Sequence, residues 1–326
     1  MELINKNILV IGGAGFIGSA CVRLLSSEGY NCVVFDNLES GREDAIDSPL
    51  IIGDIRNRQQ LNAAFKTERF DAVVHLAAKI MPTESLKKPK LYHEVNTQGS
   101  INVGQEMLEN GVRELIFSST AAVYGEHPDS LTEETACRPT TPYGLSKKRA
   151  ENHLLNLHDR GSINLSILRF FNAAGAMPES NIGETYAPEI HLIPKIIRSV
   201  KTNTPFSIYG NKHPTHDGTC IRDYVHVLDI AKAHCLLMKS HFKGNTGDIF
   251  NVGSGSGHSV MQVYNEVIQQ MESEDNFIIE PQRDGDPSIL VTDISKLKET
   301  HNWYPLNSNI QNIVKDAIKW SERITS

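Results

Sequence analysis

A chain of 326 residues is long enough to bury a large core, which favours one large or two moderate domains over a single small module. Its formal charge of -7, without any long Lys/Arg run, argues against a nucleic-acid or membrane-surface partner, so an anionic ligand would have to be held by a few placed cations. The N-terminus enters an apolar segment without a signal peptide's pattern, no apolar run approaches bilayer length, and Cys21, Cys32, Cys137, Cys220 and Cys235 suit neither a zinc site nor a disulfide framework. We therefore expect a reducing, cytoplasmic setting.

The first predicted element is the continuous apolar run Asn7-Ile8-Leu9-Val10-Ile11, as for a strand buried on both faces. Glycines at Gly12, Gly15 and Gly18 follow, and a helical pattern through Val22, Leu24 and Leu25 stops at Gly29. This is a Gly-x-x-Gly-x-x-Gly variant of the dinucleotide fingerprint, a turn bare enough for a pyrophosphate to rest on a helix N-terminus. A second strand, Cys32 to Phe35, ends in Asp36, 24 residues after Gly12. An acid there can bind both ribose hydroxyls and repels a 2′-phosphate, which favours NAD over NADP.

Further units follow: strands over 50–55 and 71–78, a helical stretch through Asn96 to Leu108, a strand over 114–118, a helix from Tyr143 to His158 and a strand over 164–170. Such alternation predicts an α/β fold of the doubly wound, Rossmann type, whose ligands sit at the carboxyl ends of strands, where Gly12, Asp36, Ala77 and Ser118 fall. After Asn172 the texture changes to loops rich in Pro, Gly and His. We expect residues 1–172 to form an NAD-binding domain and 173–326 mainly a smaller α/β substrate domain, with some segments returning to the first. No low-complexity linker separates them, so close packing around a shared cleft is expected.

The chemistry centres on Pro142-Tyr143-Gly144-Leu145-Ser146-Lys147. If Tyr143 opens a helix, Lys147 lies one turn along on the same face. Unit charges about 5 Å apart at an effective dielectric of about 20 interact by roughly 3 kcal/mol, enough to pull a phenol roughly two units below its usual value of about 10. The spacing alone is a weak signal that an ordinary amphipathic helix explains far more often, and the rest of the chain has to decide.

Taken together, Gly12-Gly-Ala-Gly-Phe-Ile-Gly18, Asp36-Asn37-Leu38, Gly53-Asp54-Ile55-Arg56, Phe117-Ser-Ser-Thr-Ala-Ala-Val-Tyr-Gly125, Tyr143-Gly-Leu-Ser-Lys147, Leu168-Arg-Phe-Phe-Asn172, Pro188 to Pro194, Asp217 to Val227, Asn251 to Gly257 and Arg283 to Asp286 resemble one family. The chain is similar over essentially its whole length to the extended short-chain dehydrogenases/reductases, specifically their UDP-glucose (UDP-galactose) 4-epimerases. The resemblance implies tightly bound NAD, a UDP-sugar substrate and a base at Tyr143. That base takes the proton of the sugar 4-hydroxyl while hydride leaves C4; the 4-keto sugar then rotates and accepts the hydride on its other face. Lys147 would lower the phenol's pKa and bind the nicotinamide ribose, and Thr120 would bridge Tyr143 and the sugar.

By the same resemblance, Gly12, Gly15, Phe16, Ile17, Gly18, Asp36, Asn37, Asp54, Ile55, Leu76, Ala77, Ala78, Asn96, Ser118 and Phe170 join Tyr143 and Lys147 around the cofactor. Diphosphate contacts fall on Asn172, Arg222 and Arg283, uracil contacts near His191, Leu192 and Tyr209, and a ribose contact on Asp286, with Leu290 at the pocket wall. Two planar guanidinium forks suit a diphosphate. A homodimer through helices at about 91–109 and 143–157 is also implied. Phe170 replaces a common Tyr, Ile80 beside Lys79 replaces a Lys found in several members, and the middling size of Leu290 leaves N-acetylated sugars open.

A nucleotide-sugar 4,6-dehydratase would share the cofactor and the first oxidation, but its members resemble Thr-Asp-Glu-Val-Tyr-Gly where this chain has Thr120-Ala121-Ala122-Val123-Tyr124-Gly125. Both carboxyl positions are alanine, which also counts against related decarboxylases. A non-catalytic NAD-sensing regulator would typically have lost Tyr143 or Lys147. His213, His216 and Asp217 lack a metal-binding context, so no metal is expected. Gly253, Gly255 and Gly257 read as a strand-exit turn.

Overall fold

The computed structural model describes residues 6–127, 130–283 and 287–324. Contacts divide the chain into two compact units, the first made of residues 1–125, 136–170 and 231–250, the second of 126–135, 171–230 and 251–326. Among the described residues no helix is long and apolar enough to cross a membrane.

In the first unit the elements are β1 (Asn7–Ile11), α1 (Phe16–Ser27), β2 (Asn31–Asp36), β3 (Leu50–Ile52), α2 (Arg58–Phe65), β4 (Ala72–His75), α3 (Pro82–Lys87), α4 (Pro89–Tyr92), α5 (Gly99–Glu109), β5 (Glu114–Thr120), α6 (Pro142–Asp159) and β6 (Asn164–Phe170). A seven-stranded sheet runs β10-β6-β5-β4-β1-β2-β3, where β10 is Ile249–Val252. Pairings from β3 through β6 are parallel, each strand in step with its neighbour, as the α/β alternation requires. β1 lies near the middle, which is why its residues Ile8 to Ile11 are fully buried. Helices close the faces over a core that includes Leu9, Val73, Leu115, Phe117, Val103, Met107, Ala150 and Leu154. Each such Leu or Ile contributes about 1.5–3 kcal/mol relative to exposure.

Two strands end earlier than their apolar runs. β3 stops at Ile52 because Asp54 folds into a local turn, its carboxylate accepting the Arg56 N–H at 2.8 Å. β4 stops at His75 because the N–H groups of Leu76 and Ala77 both turn onto the Ile11 carbonyl, at 2.7 and 3.0 Å. The helical stretch through Asn96 opens as a π-helical turn, His93–Gln98, before α5 begins.

The second unit holds β7 (Asn172–Ala174), α7 (Leu192–Lys201), β8 (Phe206–Tyr209), β9 (Ile221–His226), β11 (Gly257–Ser259), α9 (Val260–Gln270), β12 (Phe277–Glu280), β13 (Ile289–Leu290), α10 (Ser295–His301) and α11 (Ile310–Arg323). α8 (Val227–Phe242) begins here and belongs to the first unit from Ala231 onward. β9 is the hub, pairing with β7, β11 and β13, while β8 pairs with β12. A separate core joins Ile193, Ile196 and Ile197 of α7 to Val263, Tyr264 and Val267 of α9 and Ile313 and Val314 of α11. α9 starts with a capping box, Ser259 with Gln262. The Gly253 to Gly257 stretch is the exit turn of β10: the buried Asp223 carboxylate accepts the N–H groups of Ser254 and Gly255, at 2.6 and 3.0 Å.

Candidate active site

The dinucleotide loop is shaped by contacts that leave no room for side chains. Gly12 has φ 82, and a Cβ there would lie 2.4 Å from the Ala77 nitrogen. A Cβ on Gly18 would lie 2.0 Å from the Gly12 carbonyl oxygen, so α1 is pressed against the turn. Gly15 differs: a Cβ there would meet only the Gly12 oxygen at 3.4 Å, and its outer side is clear. Gly15 is also the N-cap of α1; no side chain caps it and the first turn carries no acid. Bare N–H groups, an uncompensated helix N-terminus and open space are what a pyrophosphate needs, so the loop fits NAD. Phe16 and Ile17 are half-buried in that first turn.

Asp36 ends β2 and is nearly buried, with one carboxylate oxygen accepting the Ala14 N–H at 3.0 Å and the other the Leu38 N–H at 2.9 Å. Its pKa is raised by burial against the pull of these bonds. The remaining lone pairs can serve a diol. Leu38, with φ 56, holds an uncommon conformation for a branched residue, which marks the loop as constrained. Asn37 is exposed and reaches Asp54 at 3.4 Å.

Several positions expected to line the cofactor spend their polar atoms on the scaffold. Asn96 is fully buried: its amide clamps Lys79 in both directions, at 2.8 and 2.9 Å, and reaches Ser146 Oγ at 3.0 Å. It therefore shapes the loop after β4, where Leu76, Ala77 and Ala78 are half-buried. The Ile55 side chain lies in the core and its carbonyl accepts from Asn102, while the Asp54 carboxylate is engaged by Arg56, which lowers its pKa. Ser118 bonds His234 at 3.1 Å, and the Phe170 ring sits 5.5 Å from that imidazole. Phe170 and Thr120 are paired across the β5–β6 ladder.

The catalytic candidates converge at the start of α6. Thr141 caps the helix by accepting the Gly144 N–H at 3.1 Å, and Pro142 stands in its first turn. Tyr143 and Lys147, 9 % and 2 % exposed, both face inward, and the Thr120 hydroxyl is near enough to the phenol to lower its pKa. The Tyr92 ring meets Tyr143 edge-on at 6.2 Å, and the Lys147 ammonium sits 4.3 Å from the centre of the Phe117 ring. The expected lowering of the phenol's pKa is corrected in sign. Burial dominates and raises it, the Thr120 hydroxyl pulls it back, and burial drives Lys147 down to about 7. Spacing counts only the attraction of the two charges and leaves out the cost of burying them.

In the second unit a pocket of about 450 Å³ brings together Leu192, Tyr209 and Arg283, with Lys195, Phe206 and Cys220 also on its wall. Arg283 lies over the Tyr209 ring at 3.8 Å. His191 is not on this wall; its Nδ1 is 2.5 Å from the Glu184 carboxylate, which raises the histidine's pKa against the effect of burial. The Asn172 amide donates to the Asp223 carbonyl at 2.8 Å. Arg222 and Leu290 pair in the β9–β13 ladder, which puts the wall candidate beside the phosphate candidate. Asp286 lies outside the described residues. Lys195 escaped the sequence reading: burial and neighbouring Arg283 lower its pKa, and its only signal was a position one turn after His191.

Comparison with known proteins agrees with this geometry. Residues 8–253 match the NAD dependent epimerase/dehydratase family. The chain is 40% identical over 319 residues to a UDP-glucose 4-epimerase of Lacticaseibacillus casei, covering 97% of this chain and 96% of that one. The crystal structure of a UDP-glucose 4-epimerase from Brucella ovis in complex with NAD superposes with a TM-score of 0.92 at 32% identity, covering 96% and 97% of the two chains. A UDP-Glc/GlcNAc 4-epimerase from Campylobacter jejuni gives a TM-score of 0.85 at 35% identity, covering 98% and 100%. The chain belongs to the NAD dependent epimerase/dehydratase family, in its UDP-glucose 4-epimerase branch.

Proposed function

We propose that this chain is an NAD-dependent UDP-sugar 4-epimerase that interconverts UDP-glucose and UDP-galactose. The observation that carries the reading is the dry Thr120, Tyr143 and Lys147 constellation on a unit whose Gly15 turn is built for a dinucleotide. NAD, when bound, accepts the C4 hydride and gives it back. Tyr143 takes the proton of the 4-hydroxyl and later returns one, so a single phenol serves as base and acid. The Lys147 ammonium and the Thr120 hydroxyl stabilise the ionised phenol that burial opposes. Gly12, Gly15 and Gly18 would hold the pyrophosphate of NAD, and Asp36 its adenosine ribose.

For the substrate, Arg222 and Arg283 are assigned to the diphosphate, Leu192 and Tyr209 to the base, and Leu290 to the wall of the sugar pocket. This division makes residues 1–172 chiefly the NAD-binding part and 173–326 chiefly the UDP-sugar part. Anchoring a nucleotide through its charge leaves the hexose free to turn, which inversion at C4 requires. Alanine at 121 and 122 leaves the site without the acids an elimination needs. The same reading includes a homodimer and a cytoplasmic location, the latter supported by five free cysteines.

The test uses purified protein and UDP-galactose with no nicotinamide cofactor added. UDP-glucose is expected to accumulate to equilibrium. If none forms from a sample that carries bound NAD, the epimerase reading is wrong.

A further inference from the structure

Helix α6 presents one buried residue per turn along the face that carries Tyr143 and Lys147, and the next in that series is Glu151, with no exposure. Its carboxylate is gripped from every side. Oε1 accepts from Ser119 Oγ at 2.6 Å and from Arg169 Nε at 3.0 Å; Oε2 accepts from Arg169 Nη2 at 2.8 Å and from Lys148 Nζ at 3.2 Å. Arg169, 2 % exposed, donates its other terminal nitrogen to the Tyr124 phenol at 2.9 Å and packs over that ring.

Stability is a weak reason for such a pair, since taking two ions out of water is seldom repaid and apolar residues of similar size would hold the elements as well. Its location is more telling. Ser119 directly precedes Thr120, and Arg169 directly precedes Phe170 and is Ser119's partner in the β5–β6 ladder. The carboxylate thus ties α6 to the strand ends where Thr120 meets Tyr143.

Charge gives a second argument. Facing Lys147 are His75 of β4, whose imidazole burial keeps neutral, and the ring of Phe117; Tyr143, also neutral, lies one turn away on the same helix. Tyr92 lies beyond Tyr143 and donates to Glu84, while Arg169 and Lys148 stand behind Glu151. Burial lowers the pKa of Lys147 to about 7, and Glu151 is the group that opposes the shift.

We propose that Glu151 is a positioning residue for the reaction inferred above: its buried carboxylate seats α6 on the ends of β5 and β6, so that Tyr143 stays beside Thr120, and acts on Lys147 one helical turn away. The proposal rests on the epimerase reading. Epimerisation needs Lys147 protonated, so the rate falls as pH rises through its pKa, and removing a nearby negative charge moves that fall to lower pH.

The experiment measures kcat and KM against pH for NAD-loaded parent, Glu151→Gln, and the double variant Glu151→Gln with Arg169→Gln. Glu151→Gln is expected to lower kcat at pH 8 at least tenfold, with KM within about threefold, and to move the alkaline limb down by about one pH unit. It leaves Arg169 without its counter-charge and lowers the thermal midpoint; the double variant restores the midpoint and keeps the displaced limb. A folded double variant whose limb coincides with the parent's, or whose kcat stays within twofold, overturns the proposal while the epimerase reading stands. A parent inactive on every UDP-sugar overturns both.

Discussion

Tyr143 and Lys147 show how burial alters a reading made from spacing. Their i, i+4 relation was legible from spacing, and Thr120 only through the family resemblance; the sign of the phenol's shift was not, because dehydration depends on Tyr92 and Phe117, which are remote in sequence. Tyr143→Phe removes the base while keeping the ring, so kcat should fall by about 10²–10⁴ with NAD binding unchanged. Retention of more than a tenth of the parent's kcat would assign the proton to another group. Lys147→Met should also lose turnover yet gain stability when NAD is absent. The folded pKa near 7 lies below the unfolded value, so the charged lysine burdens the fold fully below about pH 7 and not at all above about pH 10. Denaturation across that range should give the variant an advantage on the order of 2–4 kcal/mol at low pH, shrinking as pH rises. An advantage independent of pH would show that packing, and not charge, sets the difference.

At the scale of elements, the glycine turn divides into positions that build the fold and one that serves the ligand. Gly18→Ala drives a methyl into a backbone oxygen and should cost about 3 kcal/mol or more. Gly15→Ala meets ordinary contact, so its thermal midpoint without NAD should stay within a few degrees of the parent's while NAD affinity, by calorimetry, drops at least tenfold. Equal affinity would remove Gly15 from the cradle. The parallel strands were readable because fully buried strands are continuous apolar runs. Their ends were not, since the stops at Ile52 and His75 come from an Asp54 turn and from two N–H groups sharing the Ile11 carbonyl. The π-helical turn around Asn96 was hidden too, because the amide that occupies it bonds Lys79 and Ser146, far away in sequence.

At the scale of the whole molecule, the change in texture after Asn172 suggested a division there, and contacts change unit between Phe170 and Phe171. The exchange of segments was harder to see: residues 126–135 cluster with the second unit and 231–250 with the first, and nothing local in those segments marks it. The proposed homodimer draws on α5 and α6, which carry the exposed apolar residues Leu108 and Leu145. Light scattering should give twice the 36.2 kDa of one chain, and Leu108→Glu with Leu145→Glu should reduce it to one. A parent of single-chain mass at micromolar concentration would exclude the dimer.

The central claim is that one phenol and one bound cofactor oxidise C4 and reduce it again without releasing anything. UDP-galactose carrying deuterium at C4, incubated with the purified protein and no added cofactor, tests it directly. The account predicts UDP-glucose with the deuterium still on C4, seen by NMR, and no label in the solvent. Product that has lost its label to water, or no product from a protein that holds NAD, would contradict it.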